Sequence, residues 1–395
     1  MHTSHASPAP PSAVHATISA VLADRLVQPL FQPIVDLSTR TVMGLEALAR
    51  GPAGTVLEFP DRLFAAARVA GRLAGLDMLC AERALECAAA APVPPPLLFV
   101  NVEPAVMDQP LSPRLIELIT AGLPFREILE FTERALPTVP GSMLRIAGQA
   151  HEWGNGLALD DVGVDPMSLA FLPILEPEVI KLDMSLVRAP HAGHTRAVCA
   201  VVGAEAQRTG AVVIAEGIET EDDLRHARAL GAHWGQGWLF GRPGPIDGVG
   251  HRFDAAGADA LPRPRPGFHQ PTASPFQVAA AHGPATPGDA HAVAATLARM
   301  RDIAASAEAA VVVVSCPASG FPGIAVSLHE LAGRARSIVV LDRPVPDELA
   351  VAVIGPGHGY AVCVQTPHEQ EAKMVILNHL PPAAAVARAL LNRHR

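Results

Sequence analysis

The chain has 395 residues, 49% of them hydrophobic and 17% charged, with 30 basic and 39 acidic residues for a net charge of −9. At about 100–200 residues per domain, this length predicts two or three domains with ample material for a core. The surplus of acid argues against sequence-independent nucleic-acid binding, so an anionic ligand needs a metal or a local cationic pocket. Residues 1–10 carry neither a basic start nor an apolar stretch, so no signal peptide is read. Apolar runs such as 309–314 fall far short of the ~20 residues that span a bilayer. The cysteines (Cys80, Cys87, Cys199, Cys316, Cys363) form no CxxC pair and are odd in number, which predicts no disulfide framework and a reducing, cytoplasmic setting.

In chain order, residues 1–17 are rich in Ala, Pro, Ser and His and are expected to be disordered. From 18 to 245, short apolar strands alternate with helical stretches. Candidate strands are Phe31–Val35, Val42–Leu48, Leu97–Val102, Ile128–Thr132, Leu157–Leu159, Val179–Leu182, Val212–Ala215 and Gly237–Phe240. Helical periodicity covers Asp61–Ala89, Ser142–Trp153, His194–Thr209 and Glu221–Leu230. Strand–helix alternation with this many strands predicts an α/β fold, a (β/α)8 TIM-type barrel rather than an open sheet. In residues 246–275, Pro262, Pro264 and Pro266 alternate with Arg263 and Arg265, and Pro271 and Pro275 follow. Proline at this density predicts a semi-rigid linker. Residues 276–395 read as a smaller, separate α/β domain. It holds helices Ala290–Ala305, Ile324–Ala335 and Pro382–Asn392, a valine run Val311–Val314, and strands Ser337–Leu341, Leu349–Val353 and Tyr360–Val364.

In a parallel barrel the ligand site lies at the carboxyl ends of the strands. Those ends carry Glu46, Asn101, Glu130 and Glu133, Asp160 and Asp161, Lys181 and Asp183, and Glu216, with Gln236 just before the last candidate strand. A single acid there is an ordinary solvated carboxylate; this series converges on one mouth. The set is all oxygen, which suits Mg²⁺ or Mn²⁺ rather than Zn²⁺. Carboxylates this close cannot all stay ionised without a cation, and adjacent Asp160 and Asp161 could each reach a different ion. Lys181 and Lys373 are the only lysines. Beside the acids, Lys181 either orients or helps deprotonate a water, a task that suits an arginine poorly, or simply neutralises charge. His191 and His194 read as solvated loop histidines, Cys316 as core, and Gly357-His358-Gly359 as a hairpin turn.

These residues resemble the EAL-domain family of bacterial cyclic di-GMP phosphodiesterases. The matching motifs are Phe31-Gln32-Pro33-Ile34-Val35, Glu46-Ala47-Leu48-Ala49-Arg50, Val100-Asn101-Val102 and Leu129-Glu130-Phe131-Thr132-Glu133. They continue with Leu159-Asp160-Asp161, Val179-Ile180-Lys181-Leu182-Asp183, Ala215-Glu216-Gly217-Ile218-Glu219 and Gly235-Gln236-Gly237-Trp238-Leu239-Phe240-Gly241-Arg242-Pro243. The resemblance implies a barrel with one strand reversed and hydrolysis of cyclic di-GMP to linear pGpG with two Mg²⁺ or Mn²⁺ ions. It further implies Glu46, Asn101, Glu130 and Asp160 as ligands of one ion, with Asp161 on the second. Lys181 would assist the attacking water, Glu216 and Gln236 would complete the metal and water network, and Glu133 would brace the loop after Asp161. Gln32, Arg50, Asp183 and Arg242 would lie on the substrate side. A homodimer is the family expectation.

The loop Asp160-Asp161-Val162-Gly163-Val164-Asp165-Pro166-Met167-Ser168 departs from the family's Asp-Asp-Phe-Gly-Thr/Ala-Gly-Tyr/Phe-Ser-Ser, and Ala49 replaces a larger apolar residue. Pro166 stiffens a loop that is glycine-rich in the family, and Asp165 takes the place of its second glycine. Two functions follow: an active metal-dependent phosphodiesterase, or a catalytically weak cyclic di-GMP receptor that signals through its C-terminal domain. That domain resembles DICT-type sensory domains through Ala335–Pro344 and the two strands after it, which implies a regulatory or partner-binding role. Neither a GGDEF cyclase motif nor a P-loop is present.

Overall fold

Valine, leucine and isoleucine dominate the strands of residues 30–236, and most strands are buried along most of their length. That is the pattern of a sheet covered outside by helices and filled inside by side chains. In the computed structural model these strands are β1 (Leu30–Asp36), β2 (Val42–Leu48), β3 (Leu97–Val102), β4 (Arg126–Thr132), β5 (Gly156–Val162), β6 (Val179–Leu182), β7 (Val212–Ala215) and β8 (Trp234–Gln236). They close into a barrel in that order. β2 to β8 are parallel, and β1 is antiparallel to both its neighbours. The chain thus forms the expected TIM-type barrel with one reversed strand. The structure describes residues 17–103, 106, 108–132, 139–165, 168–248, 253, 257–306, 310–317, 328–331, 337–341, 344–366 and 371–393. Among these, no helix is long and apolar enough to cross a membrane.

Several elements differ from expectation. The helix expected over Asp61–Ala89 is two helices, Pro60–Val69 and Leu73–Ala89, because Gly71 takes a left-handed φ of 63° between them. The eighth strand is Trp234–Gln236, and the expected strand Gly237–Phe240 is a turn. Ile218 N donates to Gln236 O and Leu239 N donates to Ile218 O, both at 3.0 Å, so the chain folds over Ile218 instead of extending. The expected helix Ile324–Ala335 falls outside the described residues except at 328–331, which are helical.

Residues 257–272 do not hang free as a linker. Leu261 joins Ile34, Met43, Phe99, Ile128, Ile214 and Trp234 in the layer that fills the barrel floor. Arg126 Nη1 donates to Pro262 O at 2.9 Å, and the fully buried His269 places Nε2 2.7 Å from Leu175 O. A proline-rich segment has fewer N–H donors to offer, so carbonyls and side chains carry most of its attachment, with Arg265 N donating to His151 Nδ1 at 3.2 Å beside them.

The C-terminal part is a six-stranded sheet ordered β11-β10-β12-β13-β14-β9. Its strands are β9 (Thr286–Pro287), β10 (Val311–Ser315), β11 (Ser337–Val340), β12 (Glu348–Gly355), β13 (His358–Gln365) and β14 (Lys373–Leu377). β12 and β13 form the expected hairpin around Gly357, whose φ is 74°. β9 and β14 were not expected. Rather than having an entirely separate core, this sheet shares one with the barrel. Phe171, Leu172 and Leu175 of helix Ser168–Leu175 belong to the same apolar cluster as Val313, Ala352, Val386 and Leu390. Helix Leu380–Leu391 lies against helix Ser168–Leu175.

Candidate active site

Lys181 reaches from β6 into the centre of the barrel mouth and is fully buried. Its Nζ lies 2.8 Å from carboxylate oxygens of Glu130 and Glu216, 3.1 Å from Asp160 and 3.4 Å from Glu46. Asn101 Nδ2 donates to Glu46 Oε1 at 3.1 Å. Gln236 Nε2 donates to Glu46 Oε2 at 2.6 Å and to Gln32 Oε1 at 3.1 Å, and Gln32 Nε2 donates to Gly241 O at 3.0 Å. Gln236 is therefore the last residue of β8 rather than a residue ahead of it. Successive side chains of a regular strand point to opposite faces. The β5–β6 register slips between Leu159 and Val162, and Asp161 has a left-handed φ of 58°. This irregularity lets Asp160 and Asp161 act together: with Glu216 they offer oxygens within 4.8 Å of one another.

One ammonium faces more carboxylates than it can neutralise. Burial and the Glu46 charge push the Glu130 carboxyl well above the usual carboxylate range. Burial and Asp160 push Glu216 up to about 8. Burial opposes ionisation of Glu46, yet Lys181 and the bonds from Gln236 and Asn101 hold its pKa below the usual value. Burial likewise opposes the Lys181 ammonium, but Asp160, Glu130, Glu216 and Glu46 keep its pKa well above that of an ordinary lysine. Among the described residues, Glu130 Oε2 and Gln236 Oε1 are buried without a hydrogen-bond partner. Orphaned acceptors in an all-oxygen set are what a hard divalent cation satisfies, so these residues fit Mg²⁺ or Mn²⁺.

Beside this cluster a cavity of about 500 Å³ is lined by Glu46, Ala49, Arg50, Asp61, Arg68 and Asn101, among others. Arg50 donates to Ala49 O at 2.8 Å. Asp183 is not gathered with the acids; it caps helix Met184–Arg188, accepting from Ser185 N at 2.9 Å. Arg242 also stays apart, with its guanidinium 4.2 Å from the Trp238 ring centroid. Glu133, Pro166 and Met167 lie outside the described residues. His194 is exposed, as expected, but it sits in the first turn of helix Gly193–Thr209 rather than in a loop, and its Nε2 lies 2.8 Å from Gly163 O in the loop after Asp161. Asp77 was missed. It lines the same cavity, and burial pushes its carboxyl up to about 8; the available signal was a lone acid on an apolar helix face.

A closed α/β barrel with a carboxylate–lysine mouth at its strand ends defines the class. Within that class the chain belongs to the EAL domain family, whose model matches residues 16–243. It is 29% identical over 238 residues to the probable cyclic di-GMP phosphodiesterase PdeB of Escherichia coli, covering 58% of this chain and 45% of that protein. It is 34% identical over 236 residues to an uncharacterized signaling protein of Caulobacter vibrioides, covering 58% of this chain and 29% of that protein. The match thus spans less than half the length of these curated relatives. Among solved structures, the Klebsiella pneumoniae BlrP1 complex with calcium and cyclic di-GMP is 28% identical, with a TM-score of 0.50 and 57% of each chain covered. The Xanthomonas citri FimX EAL domain shares the fold at 18% identity, with a TM-score of 0.52, 60% of this chain and 94% of that chain covered.

Proposed function

We propose that this chain hydrolyses one phosphodiester bond of cyclic di-GMP to give linear pGpG, in the cytoplasm, with residues 18–245 as the catalytic unit. The observation that carries this reading is the buried Lys181 ammonium among Glu46, Glu130, Asp160 and Glu216, with Asp161 completing an oxygen-only set. The name of the PdeB relative and the ligands of BlrP1 support it. Glu46, Asn101, Glu130 and Asp160 hold one Mg²⁺ or Mn²⁺ ion, and Asp161, with Glu216 beside it, holds a second. Ions there supply positive charge to the phosphate and acidify a water. Lys181, among these carboxylates, donates to and orients that water or a phosphate oxygen. Arg50 faces a phosphate from the adjoining cavity, and Gln32 and Gln236 fix Glu46. Residues 276–395 act as a DICT-like sensory or partner-binding domain, and a homodimer is the expected assembly.

The test is incubation of purified protein with cyclic di-GMP and Mn²⁺ or Mg²⁺, with products separated by chromatography. We expect pGpG, lost on chelation and in Glu46→Ala. Bound but intact cyclic di-GMP would replace the enzyme with a receptor, and absence of binding would remove both readings.

A further inference from the structure

Three segments meet at the C-terminal end of helix Ser168–Leu175: residues 265–270, helix Leu380–Leu391, and the turn into β6. Arg388 is 5% exposed, and its Nη1 donates to the carbonyls of Pro173 at 2.8 Å and Ile174 at 3.2 Å. These are orphan acceptors at a helix end, where a cation also complements the helix dipole. The Phe268 ring takes two guanidinium groups, Arg265 at 3.6 Å and Arg388 at 4.0 Å from its centroid. Arg265, Arg208 and Arg388 all face Glu176, at 2.6, 3.0 and 3.6 Å. Glu176 holds a left-handed φ of 44°, a conformation that persists in a non-glycine residue only where its surroundings enforce it.

The same cluster reaches β5. Glu178 Oε2 accepts from Leu157 N at 2.8 Å, its Oε1 lies 3.1 Å from His151 Nε2, and His151 Nδ1 accepts from Arg265 N at 3.2 Å. The C-terminal helix is therefore tied to the start of the strand that bears Asp160 and Asp161. It is also tied to the far end of the helix that follows them. Buried ion pairs contribute little stability over apolar residues of the same volume, so this cluster is better explained by the geometry it fixes.

We infer that Arg388 is a positioning residue. Through helix Ser168–Leu175 and β5 it lets the C-terminal domain set the placement of Asp160 and Asp161, and with it the mouth's affinity for divalent ions. The inference rests on reading the mouth as a metal site. The route from Arg265 through His151 and Glu178 to Leu157 of β5 is a contiguous series of hydrogen-bonded groups, the kind along which single substitutions change coupling by about 0.5–2 kcal/mol.

The test is Mn²⁺ titration of the full chain without nucleotide, following free Mn²⁺ by its electron paramagnetic resonance signal, with thermal unfolding recorded in parallel. Arg388→Met is expected to weaken Mn²⁺ binding about three- to tenfold, and Arg388→Lys, which keeps the cation, to restore most of it. Val386→Ala, which removes buried volume from the same helix, is expected to lower the melting temperature without moving the affinity. If Arg388→Met does not fold, Phe268→Leu removes the shared ring more gently and is expected to shift the affinity in the same direction. Wild-type affinity in Arg388→Met, or in Phe268→Leu where that variant stands in, would overturn the inference. So would an affinity loss in Val386→Ala equal to that of the arginine variant. A wild-type chain that binds no Mn²⁺ would instead overturn the metal reading of the mouth, before any variant is compared.

Discussion

Lys181 and Glu127 solve the problem of a buried charge in opposite ways. Lys181 is surrounded by carboxylates and stays ionised. Glu127 accepts from Asn155 Nδ2 at 2.9 Å, and burial pushes its pKa from 4.5 up to about 7. Between those values the folded chain holds a proton that the unfolded chain releases, so stability falls as pH rises through this window. Below pH ~4.5 both states are protonated and nothing is lost; above pH ~7 the full loss applies, at most roughly 3 kcal/mol. Glu127→Gln keeps an oxygen for Asn155 and removes the titration. Its melting temperature is expected to exceed the wild type's at pH 8 and to match it at pH 4.5. Equal melting temperatures at both pH values would count against a neutral Glu127.

At the scale of elements, the strand ends were legible because polar residues closing apolar runs are local features. Glu46, Asn101, Glu130, Asp160, Lys181 and Glu216 were each read from their own strand, and the barrel brings them together. The last strand was misplaced because Trp238-Leu239-Phe240 carries a strand-like composition, while the deciding contact is non-local. A Cβ on Gly237 would lie 2.1 Å from Ile218 O and 2.4 Å from Ile218 N, both backbone atoms that cannot rotate away. Gly237→Ala must therefore push apart the turn that places Gln236 beside Glu46. We expect a cost of about 3 kcal/mol, at the top of the range for overpacking, in chemical denaturation. Gly203→Ala serves as the contrast. A Cβ there meets nothing within 4 Å inside helix Gly193–Thr209, so helix propensity alone predicts a gain of about 1 kcal/mol. Equal stabilities for the two variants would refute this account of the turn.

At the scale of the whole molecule, composition misled. Alternating proline and arginine suggested a tether between independent domains, yet Leu261 fills the barrel floor and His269 is buried against Leu175. A signal against independence was present in Ser168–Leu175, which carries no charged residue, since a helix apolar on every side must be covered on every side. Phe171, Leu172, Ile174 and Leu175 are fully buried, and the helix packs against Leu380–Leu391 and β12. Each large apolar side chain returned to water costs about 1.5–3 kcal/mol. Exposing even a few would consume much of the roughly 5–15 kcal/mol that holds a typical domain folded. A chain ending at residue 270 is therefore expected to be insoluble, or to bind a hydrophobic dye and melt without a cooperative transition. A soluble truncated chain that unfolds cooperatively at the full-length temperature would show that the barrel stands alone. The helix after the paired aspartates would then owe its position to the barrel, with no contribution from the C-terminal sheet.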